Sequence, residues 1–169
     1  MIADMTFIPD VLLKIEQMAE DEGWDRPAVL YGLHAEQLTD DCTAVEVAEF
    51  PGFDQAMAIT GHCYYALKAV THALAIAGPH RPDLSGLFGI VLVDEAWVVK
   101  HDPDAPRPTG SLANHPDRVE QRFAWLVAAD RSTKVLTRNR GKGPMWQGEW
   151  GSGRLVDATS ELLAIALDQ

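Results

Sequence analysis

The stretch 86–100, GLFGIVLVDEAWVVK, decides the architecture. An extended chain turns successive side chains to opposite faces, so Ile90, Leu92, Ala96 and Val98 form one set and Val91, Val93, Trp97 and Val99 the other. Both sets are apolar, which predicts a central strand covered on both faces. Downstream, residues 101–117 carry four of the ten prolines and read as a polar loop. Residues 119–129 supply the return strand, and 134–139 continues after a turn at 130–132. Residues 141–153 are glycine-rich and read as a long loop or a short twisted hairpin holding Trp146 and Trp150. Asp157 then caps a closing helix that runs to Leu167.

Upstream of the central strand, Ile8, Val11, Leu12, Ile15, Met18 and Ala19 recur at three- and four-residue steps and predict an amphipathic helix over 9–22, stopped at Gly23. Strands over 28–35 and 43–50 follow, joined by a polar turn at 37–41, and Pro51-Gly52 ends the second. Asp54 offers an N-cap for one long helix reaching Ala77, with Ala56, Thr60, Cys63, Leu67, Val70, Leu74 and Ala77 as its sheet-facing seam. Strands in adjacent pairs separated by helices imply an α+β fold in a single domain, 1–169. Its mostly antiparallel or mixed sheet would have four to six strands, with a long central helix and N- and C-terminal helices packed on it.

Charge is divided unevenly over this frame. Residues 1–54 hold 13 of the 25 acidic residues against Lys14 and Arg26 alone, and the remainder is balanced, so the formal charge of −11 belongs to the first third. Such a field argues against direct nucleic-acid binding and favours a protein partner with a basic surface. Glu16, Glu20, Asp21 and Glu22 crowd the end of the first helix, where the helix dipole is already negative; solvent on an open face is the expected relief. Cys42 and Cys63 show no CxxC or CxH spacing, which fits reduced thiols in the cytoplasm. No run approaches the ~20 apolar residues of a membrane span, and MIADMTFIPD lacks the pattern of a signal peptide.

Four constellations carry candidate chemistry. Asp94 and Glu95 are neighbours in the central strand and point to opposite faces, so they cannot share a pocket; burial would raise the pKa of one of them. In an antiparallel pairing Arg122 or Arg118 becomes the ion-pair partner of one carboxylate. His101, Asp102, Asp104, His115 and Asp117 surround the proline-rich loop but lack ligand spacing of the HxH or HExxH type, so neither a metal nor a cofactor is expected. His34-Ala35-Glu36 matches half of a zinc-deaminase motif whose PCxxC half is missing. Arg138, Arg140, Lys142, Trp146 and Trp150 interleave bases with aromatics, a composition that can cradle a phosphate or stack a base; residues 141–144, GKGP, are no Walker loop.

The run 89–97, GIVLVDEAW, followed by 115–120, HPDRVE, resembles uncharacterised actinobacterial and actinophage proteins that share an EAW strand and a PxR–E strand. The resemblance covers roughly residues 86–130 and implies a small intracellular accessory protein, without assigning any site. Nine arginines against five lysines, with abundant alanine, match the codon bias of a GC-rich genome. Two functions are therefore expected in competition. One is a non-catalytic binding or regulatory protein, phage-encoded in the sense of that resemblance, which uses its acidic N-terminal surface. The other is an enzyme or small-ligand protein with Glu95 as acid/base, Arg122 as orienter, His115 nearby and residues 138–142 clamping an anionic nucleotide or phosphate. The exposed tryptophans and sheet edges leave a homo-oligomer open.

Overall fold

A computed structural model describes residues 8–39, 42–100, 104, 106, 109–148 and 153–168. The elements run α1 (Ile8–Glu22), β1 (Val29–Thr39), β2 (Cys42–Glu49), α2 (Phe53–Thr60), α3 (Cys63–Ile76), β3 (Leu87–Val98), β4 (Val119–Ala128), β5 (Thr133–Asn139), β6 (Pro144–Gly148) and α4 (Arg154–Leu167). All six strands form one sheet in the order β2-β1-β3-β4-β5-β6, and every pairing is antiparallel. The fold is α+β, as the pairing of strands between helices implied. The doubly apolar stretch lies in the middle of the sheet, between β1 and β4; both faces are covered over residues 87–93, whereas Ala96 and Trp97 are exposed, so the cover expected of the whole stretch stops short of its end.

The first members of the two alternating sets of β3 end in separate cores. Ile90 and Leu92 join Leu30, Trp125, Val127 and Val135 beneath Leu67, Val70 and Leu74 of α3 and Leu162 and Leu163 of α4. Val91 and Val93 join Tyr31, Leu33, Ala124, Leu126 and Leu136 beneath Ile8, Leu12 and Ile15 of α1. Each fully buried side chain of this size contributes about 1.5–3 kcal/mol relative to exposure. Three helices thus close one face and α1 the other. Arg81, in the segment between α3 and β3, donates to the Ile165 and Asp168 carbonyls and so satisfies the end of α4.

The predicted long helix is two helices. Gly61 takes a left-handed φ of 63°, and its N–H returns to the Met57 carbonyl, ending α2. His62 is extended and caps α3, its Nδ1 accepting from the Tyr64 N–H at 3.2 Å. The seam continues through the break because both helices lie on the same sheet face: Ala56, Cys63, Leu67, Val70 and Leu74 are all buried. Periodicity therefore could not reveal the break; Gly61, the residue for which a left-handed cap costs least, could. Asp54 and Asp157 sit in the first turns of α2 and α4, while Gly52 and Gly153 hold the cap positions. Within the glycine-rich segment, Pro144–Gly148 forms the hairpin strand β6, the second of the two readings the sequence offered. Gly86 opens β3 at φ 73°, and a Cβ there would lie 2.7 Å from the Ala35 oxygen, so the approach of this turn to β1 requires glycine.

Candidate functional site

Antiparallel register places Glu95 of β3 opposite Arg122 of β4, and Arg122 opposite Arg138 of β5. The three form a row across the middle of the sheet, on the α1 side, under the last two turns of α1. The i,i+4 pair Glu16 and Glu20 faces them from above. Arg122 donates from Nε and Nη2 to Glu95 Oε1 at 3.1 and 2.9 Å, from Nη1 to Glu20 Oε2 at 2.9 Å, and from Nη2 to the Gly23 carbonyl at 2.6 Å. Arg138 grips Glu16 bidentately, with Nε and Nη2 each 2.6 Å from a carboxylate oxygen. That hydrogen-bonded carboxylate raises the Arg138 pKa further above its ordinary value, against the opposing effect of burial. Arg122 and Glu16 are each 1% exposed.

The loop after α1 closes the cluster. The Asp25 N–H donates to Glu95 Oε2 at 2.8 Å, and Trp24 Nε1 donates to Glu20 Oε2 at 3.1 Å. The Trp24 ring lies against the Arg122 guanidinium at 4.3 Å, a cation–π contact within the usual reach. At the rim, Arg140 bridges Glu120 at 2.6 Å and Asp25 at 2.9 Å. Five carboxylates therefore surround three guanidiniums. Of the four acids at the end of α1, Glu16 and Glu20 are relieved by Arg122 and Arg138 rather than by water as the sequence suggested, while Asp21 and Glu22 are exposed as expected. The reason is positional: Glu16 stands one turn beyond Leu12, on the buried stripe of α1, where only a paired carboxylate is tolerable.

On the opposite face of β3, Asp94 points towards the start of α3, and the Cys63 thiol donates to its Oδ2 at 3.2 Å. Burial raises the Asp94 pKa, against the lowering effect of its hydrogen bonds and of His62. The Cys63 thiol is pushed up to about 12, first by burial and then by the Asp94 charge. A thiol in that state is a poor nucleophile at neutral pH. Asp94 and Glu95 thus part as expected, one into the helical core and one into the charge cluster.

The remaining candidates disperse. His115 caps its own turn, Nδ1 accepting from the Asp117 N–H at 3.2 Å. Arg118 lies over the Trp97 ring at 5.0 Å rather than against either carboxylate. The residues proposed as an anion clamp divide: Arg138 and Arg140 are tied to carboxylates, while Lys142 and Trp146 are exposed near the β5–β6 turn and on β6. Trp150, His101 and Asp102 lie outside the described residues. No group of three or more metal-ligating side chains occurs among the described residues.

Space separates these locations further. The cavity beside Glu95 and Arg122 holds about 20 Å³, room for a water, against roughly 300–1,000 Å³ for ordinary ligand sites. A cleft of about 450 Å³ opens at the other end of the sheet, between His34, Glu36, Glu46, Asp83 and Ser85. There the His34 Nδ1 donates to the Ser85 carbonyl at 2.9 Å. A groove of about 530 Å³ runs between β1 and α2, with Phe50, Phe53 and Met57 in its wall and Arg26, Glu49 and Asp54 at its margins. The acidic third of the chain is thereby split in two. Glu16 and Glu20 are neutralised beneath α1 and Asp25 is paired at the exposed rim, whereas Glu36, Glu46, Glu49 and Asp54 are exposed and have no ion-pair partner among the described residues. No helix among the described residues is long and apolar enough to cross a membrane. Comparison with models of known families, with curated proteins and with solved structures gave no match.

Proposed function

We propose that this is a non-catalytic binding or regulatory protein of the cytoplasm that recognises a basic surface on a macromolecular partner. One observation carries the reading: about the β1–β2 hairpin and its neighbouring turns, exposed acids without an ion pair among the described residues gather at two clefts, Glu36, Glu46 and Asp83 at one and Glu49 and Asp54, beside Arg26, at the other. Lysine or arginine side chains of a partner fit such clefts, and outward-facing carboxylates raise the association rate of a cationic surface. The active surface is thus narrower than the whole N-terminal third. An accessory role of the kind implied by the resemblance at residues 86–130 is consistent with it.

The enzymatic alternative has less support. Glu95 has both oxygens engaged, by Arg122 and by the Asp25 N–H, and Arg122 spends its donors on Glu95, Glu20 and Gly23.

The test is capture of interacting proteins on the immobilised chain at low and high ionic strength, beside the Glu36→Lys/Glu46→Lys/Glu49→Lys variant. Partners should be lost both at high salt and in the variant. A partner held equally under all conditions would remove the electrostatic basis of the proposal. A thermal-shift screen with nucleotides and divalent metals separates the alternative, since ligand at a hundredfold its dissociation constant adds about 2.7 kcal/mol. A hit that vanishes in Glu95→Gln would move the assignment to an enzyme.

A further inference from the structure

The two outer strands end the sheet differently. β6 has five residues, begins at Pro144, which lacks an N–H, and stops at Gly148 with φ 83°. Brevity and proline blunt an edge of that kind. β2 has eight residues, among them no proline, glycine or lysine, and keeps one register with β1 from Thr43 to Glu49. No described strand pairs with its outer side. The Phe50 N–H donates to the Leu30 carbonyl in that same register, so the even-numbered residues of β2 turn their backbone groups to β1. Val45, Val47 and Glu49 therefore turn N–H and C=O outward. The side chains along this row differ in character: Val45 and Val47 are half-buried against the α1 core, while Glu46, on the other face, and Glu49 are exposed.

We propose that the outer edge of β2 takes a seventh strand, an extended segment of the basic partner with cationic side chains beside Glu46 and Glu49 and apolar ones beside Val45 and Val47. The inference rests on the acidic recognition surface and states the form in which the partner meets it. Backbone and charge choose the occupant together. A row of outward N–H and C=O groups at every second residue matches an extended chain, and neither a helix nor a small ion answers it. Neither Glu46 nor Glu49 has an ion-pair partner among the described residues, and Arg26, which shares a groove with Glu49, is paired with Glu22. Glu36 stands on the same face as Glu46, one strand further in, and adds to the attraction. A second copy of this edge would bring its own carboxylates against these, so charge turns self-pairing away while it admits a basic segment. Laid antiparallel, a segment KAVKV places lysines beside Glu49 and Glu46 and valines beside Val47 and Val45.

Fluorescence anisotropy of a labelled KAVKV peptide, capped at both ends and titrated with the full chain at low salt, tests it. Saturable binding is expected at submillimolar chain. In the antiparallel register the amide of the first valine faces the Val47 carbonyl, and that of the second lysine points away. N-methylation of that valine should weaken binding by about tenfold or more, whereas N-methylation of that lysine should not, although both peptides keep the charge. Replacing both lysines by glutamine should weaken it by about tenfold or more as well, and so should Glu46→Lys/Glu49→Lys in the chain, at positions that are exposed. Unchanged binding by the glutamine peptide would admit an uncharged occupant and overturn the proposal. No binding by the unmodified peptide, or a valine N–H that proves dispensable, would overturn it too. Salt-sensitive binding that ignores valine methylation strikes the strand and leaves the acidic surface standing. Binding that needs the valine N–H yet ignores salt and Glu46→Lys/Glu49→Lys overturns both.

Discussion

The two faces of the sheet are closed by different physics. Beneath α3 and α4 the contact is chiefly apolar, from Leu67 and Leu162 to Ile90 and Trp125; the buried Thr71 and Thr159 hydroxyls donate back to their own helices, and Asp94 enters only at the margin. Beneath α1 the first half is apolar and the second half is ionic, Ile8, Leu12 and Ile15 giving way to Glu16 and Glu20 over Arg122 and Arg138. Apolar contacts tolerate small displacements of a helix, because dispersion and burial have little direction. A bidentate guanidinium–carboxylate pair does not, since it loses its hydrogen bonds when the geometry shifts. The difference teaches that the ionic half is better understood as a device for placing α1, and its Gly23–Asp25 loop, than as a catalytic centre.

The largest expected effect comes from breaking the ionic half. Arg122→Met leaves Glu95 and Glu20 without their shared cation in a buried setting, and should cost about 3–5 kcal/mol in urea denaturation. A loss below about 1 kcal/mol would mean that water reaches the cluster freely, and the contrast between the faces would fail. The matching cut in the apolar half, Leu67→Ala, should cost about 2–5 kcal/mol, because Leu67 is fully buried and the sheet beneath cannot collapse into the hole. The two variants should also differ in kind, with the apolar truncation insensitive to salt.

A smaller effect, read through pH, concerns Asp94. Its folded pKa is raised above the ordinary 3.8, so the folded state holds the proton more tightly than the unfolded chain does. Ionisation of Asp94 therefore costs stability as pH rises from the ordinary value through the raised one. Relative to Asp94→Asn, the wild type should lose stability across that window and hold a constant difference below it; a difference that does not change with pH would show that the carboxyl is not desolvated. In a Cys42→Ser background the Cys63 thiol, pushed up to about 12, should resist alkylation at neutral pH until the protein unfolds. Smallest of all is the rim: Arg140→Ala, which removes half-exposed pairs with Asp25 and Glu120, should cost under about 1 kcal/mol.

Much of this comparison was legible before any coordinates. The apolar alternation of β3 and the opposed directions of Asp94 and Glu95 follow from a period of two, and an antiparallel return narrows the partner of one carboxylate to Arg122 or Arg118, between which the register decides. The ionic role of Glu16 was also open to reading, because its position continues the stripe Ile8, Leu12, Ile15. It was obscured by Glu20, Asp21 and Glu22, which made the whole end of the helix look like a solvated acidic face. Arg138 was misleading in the same way: four neighbouring basic and aromatic residues suggested an open clamp, while the strand period turns Arg138 inward and leaves Trp146 outside.

Local sequence by itself determined most of the elements, though not the break between α2 and α3, together with the central place of residues 87–98 and the imbalance of charge, because these depend on neighbours within a few residues. Only the tertiary structure decided which carboxylates keep their charge exposed. Neutralisation requires a cation within a few ångströms, and the cations that silence Glu16 stand 106 and 122 positions away along the chain, brought there by the pairing of β3, β4 and β5. The same folding leaves Glu36, Glu46 and Glu49 at the far edge of the sheet, beyond the reach of those arginines, and so divides one acidic segment into an internal part and an outward-facing one.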